Sequence, residues 1–251
     1  MFRAALLAAA VAAAVSGGIS AQAGSIRDRA MTPYRLGFES LRSESWEEAA
    51  KLFQDAIDVD PTFEMAHYML GRAEMYRKNY QKALAAMVRA QGLYQRQAGR
   101  QFTSAQDAQR YRRDAMMEID EAIRLLQSGR QTPQSSEQIR QLNERKRQIT
   151  QIVDRGNNIT LELAVPAYVS LSIGSAYFRT GNLAEAEKAY LAAVASDPKT
   201  GEAHSNLAVV YMETGRLNEA EQSVKAAERA GLKVHPDLKA EIARRKKSGS
   251  Q

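Results

Sequence analysis

Small residues recur along this chain at intervals of 34. Gly37 and Gly71 are 34 residues apart, as are Ala49 and Ala83, and Ala56 and Ala90. Further on, the same 34-residue interval joins Gly174 to Ala208, Ala186 to Ala220 and Ala193 to Ala227. A fixed period of this length is the signature of a repeat architecture, and it restricts the fold more than any other feature of the chain. Close packing explains the spacing. Where two antiparallel helices joined by a tight turn cross closely, no side chain larger than a methyl group fits at the crossing. A Gly or Ala in the first helix therefore meets an Ala in the second. Large residues fill the gaps between: Leu36, Leu70, Ile173 and Leu207 in first helices, and Phe53, Met87, Tyr190 and Val224 in second helices. One helix pair cannot bury its apolar face alone, so stacked pairs must share a core.

Turn residues fall where this scheme needs them. Gly181-Asn182 and Gly215-Arg216 separate the helices of the later two units, and Ser43-Glu44-Ser45 and Lys78-Asn79 those of the earlier two. Asp60-Pro61 and Asp197-Pro198 end the first and third units, because proline halts a helix. The segment from Trp46-Glu47-Glu48-Ala49 through Ala56 to Asp60-Pro61 resembles the second half of a tetratricopeptide repeat (TPR). So does Gly181-Asn182-Leu183-Ala184-Glu185-Ala186 through Ala193 to Asp197-Pro198. The resemblance covers residues 30–95 and 165–247, and together with the N-terminal residues described below it points to an exported bacterial type of TPR protein. The implied fold is all-α, a helical-hairpin solenoid of about four units, with units one and two in 30–95 and units three and four in 165–232. Ser40 and Glu74 stand where the family usually has an aromatic, which Tyr177 and Tyr211 keep, so weaker packing is expected in the N-terminal pair. Residues 233–247 read as a capping helix and basic tail, with Leu238 and Ile242 on one face.

Residues 96–164 lack the landmarks. No Gly or Pro occurs between Ala105 and Gln127, and Ala108, Tyr111, Ala115, Ile119, Ala122, Ile123 and Leu126 follow helical spacing. Thr103 or Ser104 supplies an N-cap and Gly129 a stop, which predicts one helix of about 24 residues. A second helix starts within Pro133–Ser136 and ends before Gly156, with Ile139, Leu142, Ile149, Ile152 and Val153 as its apolar stripe. So narrow a stripe suits a two-helix hairpin with most of its surface wet. The pattern leaves open whether this hairpin projects outward, leaving two paired-repeat modules around an arm, or fills the groove. Arg145-Lys146-Arg147 reads as a solvated run, or as a contact for an acidic partner. No strand is evident.

The N-terminus sets the compartment. Arg3, an apolar run from Ala4 to Val15, Ser16-Gly17-Gly18 and Ala21-Gln22-Ala23 form the layout of a signal peptide in residues 1–23, with cleavage expected after Ala23. The run falls short of the roughly 20 apolar residues of a spanning helix; an uncleaved anchor is the alternative. A periplasmic or secreted product is expected. The chain has no cysteine, which excludes disulfides, zinc–thiolate sites and thiol nucleophiles. A net charge of +6 would suggest nucleic acid in a cytosolic protein. For an exported chain no nucleic-acid partner is expected, and weak contact with an anionic envelope polymer or lipid surface is the sharper alternative.

Nothing in the sequence points to catalysis, a cofactor or a metal. His67 and His204 occupy equivalent places, three residues before Leu70 and Leu207, which favours packing over ligation; His235 precedes a proline in a turn. Glu47-Glu48, Glu118-Asp120-Glu121 and Glu219-Glu221 read as solvated helix faces. The sequon Asn158-Ile159-Thr160 is discounted. A non-enzymatic scaffold is therefore expected, holding a peptide or helix of a protein partner; self-assembly as a homo-oligomer is the alternative. The TPR resemblance implies that first helices line a concave groove. Its candidate lining is Tyr34, Phe38 and Leu41 in unit one, and Met65, Tyr68, Arg72 and Met75 in unit two. Unit three supplies Tyr168, Ser175 and Phe178, and unit four Ser205, Asn206, Val209 and Met212. Asn206 stands where many TPR proteins hold a ligand backbone with an amide. Some of these residues are equally placed to pack against the hairpin.

Overall fold

The computed structural model describes residues 26–102, 104–128, 132–153, 159–160 and 163–248. The proposed signal peptide, Thr103, Gly129, Asn158 and the side chains of Ile152 and Val153 lie outside the described residues. Four helices come first: α1 (Ile26–Arg42), α2 (Trp46–Val59), α3 (Glu64–Tyr76) and α4 (Tyr80–Gln97). Then come β1 (Gln101–Phe102), α5 (Ala105–Ser128), α6 (Pro133–Val153) and β2 (Ile159–Thr160). The chain ends with α7 (Ala167–Arg179), α8 (Leu183–Ser196), α9 (Gly201–Glu213), α10 (Leu217–Arg229) and α11 (Pro236–Ser248). Helices α1–α2, α3–α4, α7–α8 and α9–α10 form four hairpins, as the 34-residue period predicts.

The small-to-large pairing is direct. A Cβ added to Gly174 would lie 2.5 Å from the Tyr190 ring, and one added to Gly71 would lie 2.5 Å from Met87 Cγ. Gly37 faces Phe53 in the same way. Unit four carries Ala208 in place of glycine, and there the second helix offers the smaller Val224. Each hairpin turn uses one residue in the left-handed region: Gly181 and Gly215 in the later units, but Glu44 (φ 59°) and Lys78 (φ 61°) in the earlier ones. The histidines repeat as well. His67 Nε2 lies 3.1 Å from the Pro61 carbonyl oxygen, and His204 Nε2 lies 3.1 Å from that of Pro198.

The hairpins stack without a break. Helix α2 packs on α3, α4 on α7 and α8 on α9. Since α4 and α7 belong to units two and three, the solenoid is continuous across the insertion, and the picture of two modules around an arm gives way to one array. Tyr68 and Tyr168 meet at this junction, their rings 4.9 Å apart, and the Tyr94 and Tyr168 hydroxyls are 3.2 Å apart. At the other end α11 covers α10 through Val234, Leu238 and Ile242, and Arg245 donates to the Met212 carbonyl at 3.1 Å, satisfying a group at the end of α9.

The insertion is a helical hairpin that folds back onto the first helices. Its base is closed by a short antiparallel ladder, Gln101 opposite Thr160 and Phe102 opposite Ile159, where no strand was expected. Two residues per strand are too few to show alternation. Ser104 Oγ caps α5 by accepting from the Asp107 amide, and Thr132 and Ser135 cap α6 reciprocally. Helix α5 lies against α1: Arg27 reaches Glu118, Arg35 reaches Glu121 at 3.0 Å and Arg42 reaches Ser128 at 3.2 Å. Helix α6 lies against α3 and the α8–α9 turn: Gln138 donates to the Tyr68 hydroxyl at 3.0 Å, and Arg140 pairs with Asp197.

Several sequence expectations change in consequence. Glu118 and Glu121 are only 8% exposed, because α5 turns them toward α1 and not toward water. The run Arg145-Lys146-Arg147 is divided: Arg145 points inward over the Tyr94 ring, Lys146 pairs with Asp120 and Arg147 with Glu144. Leu36 is 47% exposed and fills no gap. Glu74, in the aromatic position, is buried and accepts from Asn79 at 2.7 Å and Arg77 at 2.9 Å, so a polar network closes the α3–α4 turn.

Candidate functional site

The hairpin divides the expected groove lining in two. Tyr34, Phe38, Leu41, Met65, Tyr68 and Tyr168 are all buried, in the same apolar core as Ile119, Leu142 and Ile149 of the hairpin. The Tyr34 ring packs tilted against Phe63 at 4.9 Å and Phe53 at 5.8 Å, and its hydroxyl finds no partner among the described residues. Phe178 is half-buried against the α7–α9 core, Ser205 and Val209 are half-buried, and Met212 is buried beside α10 and α11.

The remaining candidates meet in one place. A cleft of about 420 Å³ lies between α3, α7 and α9, and Arg72, Met75, Ser175 and Asn206 line it. Tyr76, Leu171, Ser172 and Glu202, which the spacing argument passed over, and Met87 of α4 complete its walls. Ser172 and Glu202 are one helical turn from Ser175 and Asn206, so the i, i+3 and i, i+4 neighbours of the chosen positions would have found them. Burial opposes the charge of Arg72, yet Tyr68 and Tyr76 more than compensate and hold its pKa above the ordinary arginine value. The Glu202 carboxyl is pushed up by burial and by the negative charge of Glu137. Ser175 Oγ donates to the Leu171 carbonyl at 3.0 Å, and Ser172 Oγ is 3.4 Å from the Tyr68 hydroxyl. The cleft thus presents a cation, an amide and a hydroxyl beside the apolar Met75 and Leu171.

A second cavity, of about 740 Å³, lies where the hairpin meets α1, α3 and α4. Four of its charged groups are already engaged with one another. Arg27 donates to Asp60 at 2.6 Å, to Glu64 at 3.3 Å and to Glu118 at 2.5 Å. Burial, reinforced by the charge of Glu64 and opposed by Arg27, pushes the Glu118 carboxyl up to about 7. One guanidinium thus ties the first helix, the α2–α3 turn and the hairpin together. The chemistry is that of a joint.

The sequence profile of the tetratricopeptide repeat matches residues 34–99 and 171–231, in register with the four helical hairpins on either side of the insertion. The chain belongs to the tetratricopeptide-repeat family. The two matched TPR stretches end and resume where the α5–α6 hairpin leaves and rejoins the solenoid. Among solved structures, the TPR chain is similar to PilW, described as a widely conserved type IV pilus biogenesis factor. That likeness has 17% identity over 86% of each chain and a TM-score of 0.40. It is also similar to TTC0263, a thermophilic TPR protein of Thermus thermophilus, at 23% identity over 86% of this chain and 98% of that one, with a TM-score of 0.35. A third likeness is to PilF of Pseudomonas aeruginosa, at 15% identity over 82% and 79% of the two chains, with a TM-score of 0.32. No curated protein sequence matches the chain. As a TPR protein it is a scaffold for protein–protein interaction.

Proposed function

We propose that this TPR protein is a non-enzymatic, exported scaffold that holds a segment of a partner protein in the cleft between α3, α7 and α9. One observation carries the reading. The chain's own hairpin covers the face formed by α1, α3 and the start of α7, yet it stops short of Arg72, Met75, Ser175 and Asn206. Apolar contact area beside hydrogen-bonding groups is what a peptide needs, the former for affinity and the latter for orientation. The volume suits a short extended segment. Export is supported by the Arg3, Ala4–Val15 and Ala21-Gln22-Ala23 pattern, and an exported chain meets its partner in the periplasm or outside the cell.

A photo-crosslinking amino acid placed at Met75 tests this in the producing cell, with Val88, an exposed residue of α4, as the control position. The expected result is a discrete adduct with a second polypeptide from Met75 and none from Val88. Equal adducts from both positions, or none from Met75, would contradict the reading.

A further inference from the structure

We infer that Arg72 selects partners by pairing with an acidic side chain, an Asp or Glu within an extended peptide. This rests on the reading of the cleft as a peptide site and sharpens it. Where the hairpin meets the solenoid, several arginines have carboxylates: Arg27 has Asp60, Glu64 and Glu118, Arg35 has Glu121, and Arg140 has Glu137 and Asp197. Arg72 is half-buried among tyrosines and makes no ion pair among the described residues. Tyr68 and Tyr76 hold it charged but supply no formal negative charge, so the cleft presents a fixed cation to an incoming carboxylate. The planar guanidinium fork matches a carboxylate with two parallel hydrogen bonds.

The surroundings agree. The Asn206 side chain, which makes no hydrogen bond among the described residues, faces the same cleft and offers both a donor and an acceptor to a passing backbone. Glu202 is the one carboxylate lining the cleft among the described residues. The cleft is only partly enclosed, which leaves room for a segment to run across it with the matching carboxylate on a side chain.

Short random peptides displayed on phage as N-terminal fusions, which lack a free C-terminus, are selected against the immobilised full chain. Enriched sequences are expected to share an Asp or Glu at one aligned position. For a synthetic enriched peptide, changing that residue to its amide, or changing Arg72→Met in the protein, is expected to weaken binding about ten- to hundredfold, the range for hydrogen bonds to charged groups. The two changes together should cost no more than either alone. Arg72→Lys should keep the acidic preference with reduced affinity. If Arg72→Met proves poorly folded by circular dichroism, Asn206→Asp replaces it, since a second carboxylate in the cleft must abolish the preference. Enriched peptides that lack an acidic position, or that bind Arg72→Met and Asn206→Asp as well as the parent, overturn the role of Arg72 and leave the cleft a peptide site. Absence of any enriched peptide, or enrichment indifferent to Met75→Glu, overturns the cleft reading itself and this inference with it.

Discussion

Arg27 on the first helix donates to Glu118 on α5 at 2.5 Å, across 91 residues of chain, and the same guanidinium holds Asp60 and Glu64. No other side chain among the described residues is shared by so many carboxylates, and it sits where the hairpin meets the solenoid. Arg27→Met leaves the buried carboxylates without a counter-charge. Removing one partner of a buried ion pair costs about 3–5 kcal/mol. A loss of that order is expected in urea unfolding, with faster proteolysis of the α5–α6 segment. A loss below about 1 kcal/mol, the level of a surface pair, would show that the cluster is solvated.

Acidity should act through the same cluster. Burial pushes Glu118 up to about 7 from an ordinary 4.5, so the folded protein takes up a proton in a pH range where the unfolded chain stays ionised. The stability this group supplies is fully present below pH 4.5 and is lost as pH rises through about 7. Asp60 and Glu121 are both held below their ordinary values despite burial, Asp60 by Thr62 and Arg27 and Glu121 by Arg124 and Arg35. They oppose this only in more acid solution. His67, whose pKa burial holds below its ordinary 6.5, adds stability as pH rises toward that value and opposes Glu118 there. The urea midpoint should therefore fall between about pH 6.5 and pH 7.5, and Glu118→Gln should flatten that slope. A midpoint that rises over this interval, or a slope unchanged in Glu118→Gln, would contradict the assignment.

Packing of the repeats makes a separate prediction. Gly174 lies against the face of Tyr190, and a Cβ there meets the ring at 2.5 Å. Gly174→Ala gains about 1 kcal/mol of helix propensity but must displace the ring, and overpacking typically costs about 1–3 kcal/mol. A net loss of thermal stability is expected. Because unit four already pairs Ala208 with Val224, Tyr190→Val should cost less in the Gly174→Ala background than in the parent. Strict additivity of the two changes would contradict the close contact.

The earlier two units carry a strain that the later two avoid. Glu44 and Lys78 adopt positive φ in exposed turns where Gly181 and Gly215 do so freely. A non-glycine residue in this region costs about 1–2 kcal/mol, part of which glycine returns in the entropy of the unfolded chain. Lys78→Gly and Glu44→Gly should each raise the melting temperature, and Gly215→Ala should lower it. A lower melting temperature in both glycine variants would contradict the turn geometry.

The repeat was legible because its physics is local and periodic. Gly37, Gly71 and Gly174 are small for one reason, a ring or thioether one helix away, and within each pair of units the small position recurs at the 34-residue interval. The ends of α5 were legible too, since Ser104 caps it and no Gly or Pro interrupts it. The docking of the hairpin was not. It is made by polar reach over long separations, Arg27 to Glu118 and Gln138 to Tyr68, and such pairs leave no period in the sequence. The narrow apolar stripe of α6 looked like a wet helix, although Leu142 and Ile149 are buried and Gln138 makes a buried hydrogen bond. Part of the expected groove lining is therefore covered by the chain's own hairpin. Arg72, Met75, Ser175 and Asn206 lie beyond the hairpin's reach.

The account turns on that self-occupied face, and a distance measurement tests it most directly. The chain has no cysteine, so two introduced ones carry spin labels without background. Leu36→Cys on α1 and Arg124→Cys on α5 are both exposed, and the neighbouring Arg35–Glu121 contact of 3.0 Å holds their helices side by side. Pulsed electron paramagnetic resonance should return a single narrow, short distance between the labels. A broad distribution centred at long distance, the mark of a hairpin standing away from the solenoid, would contradict the account.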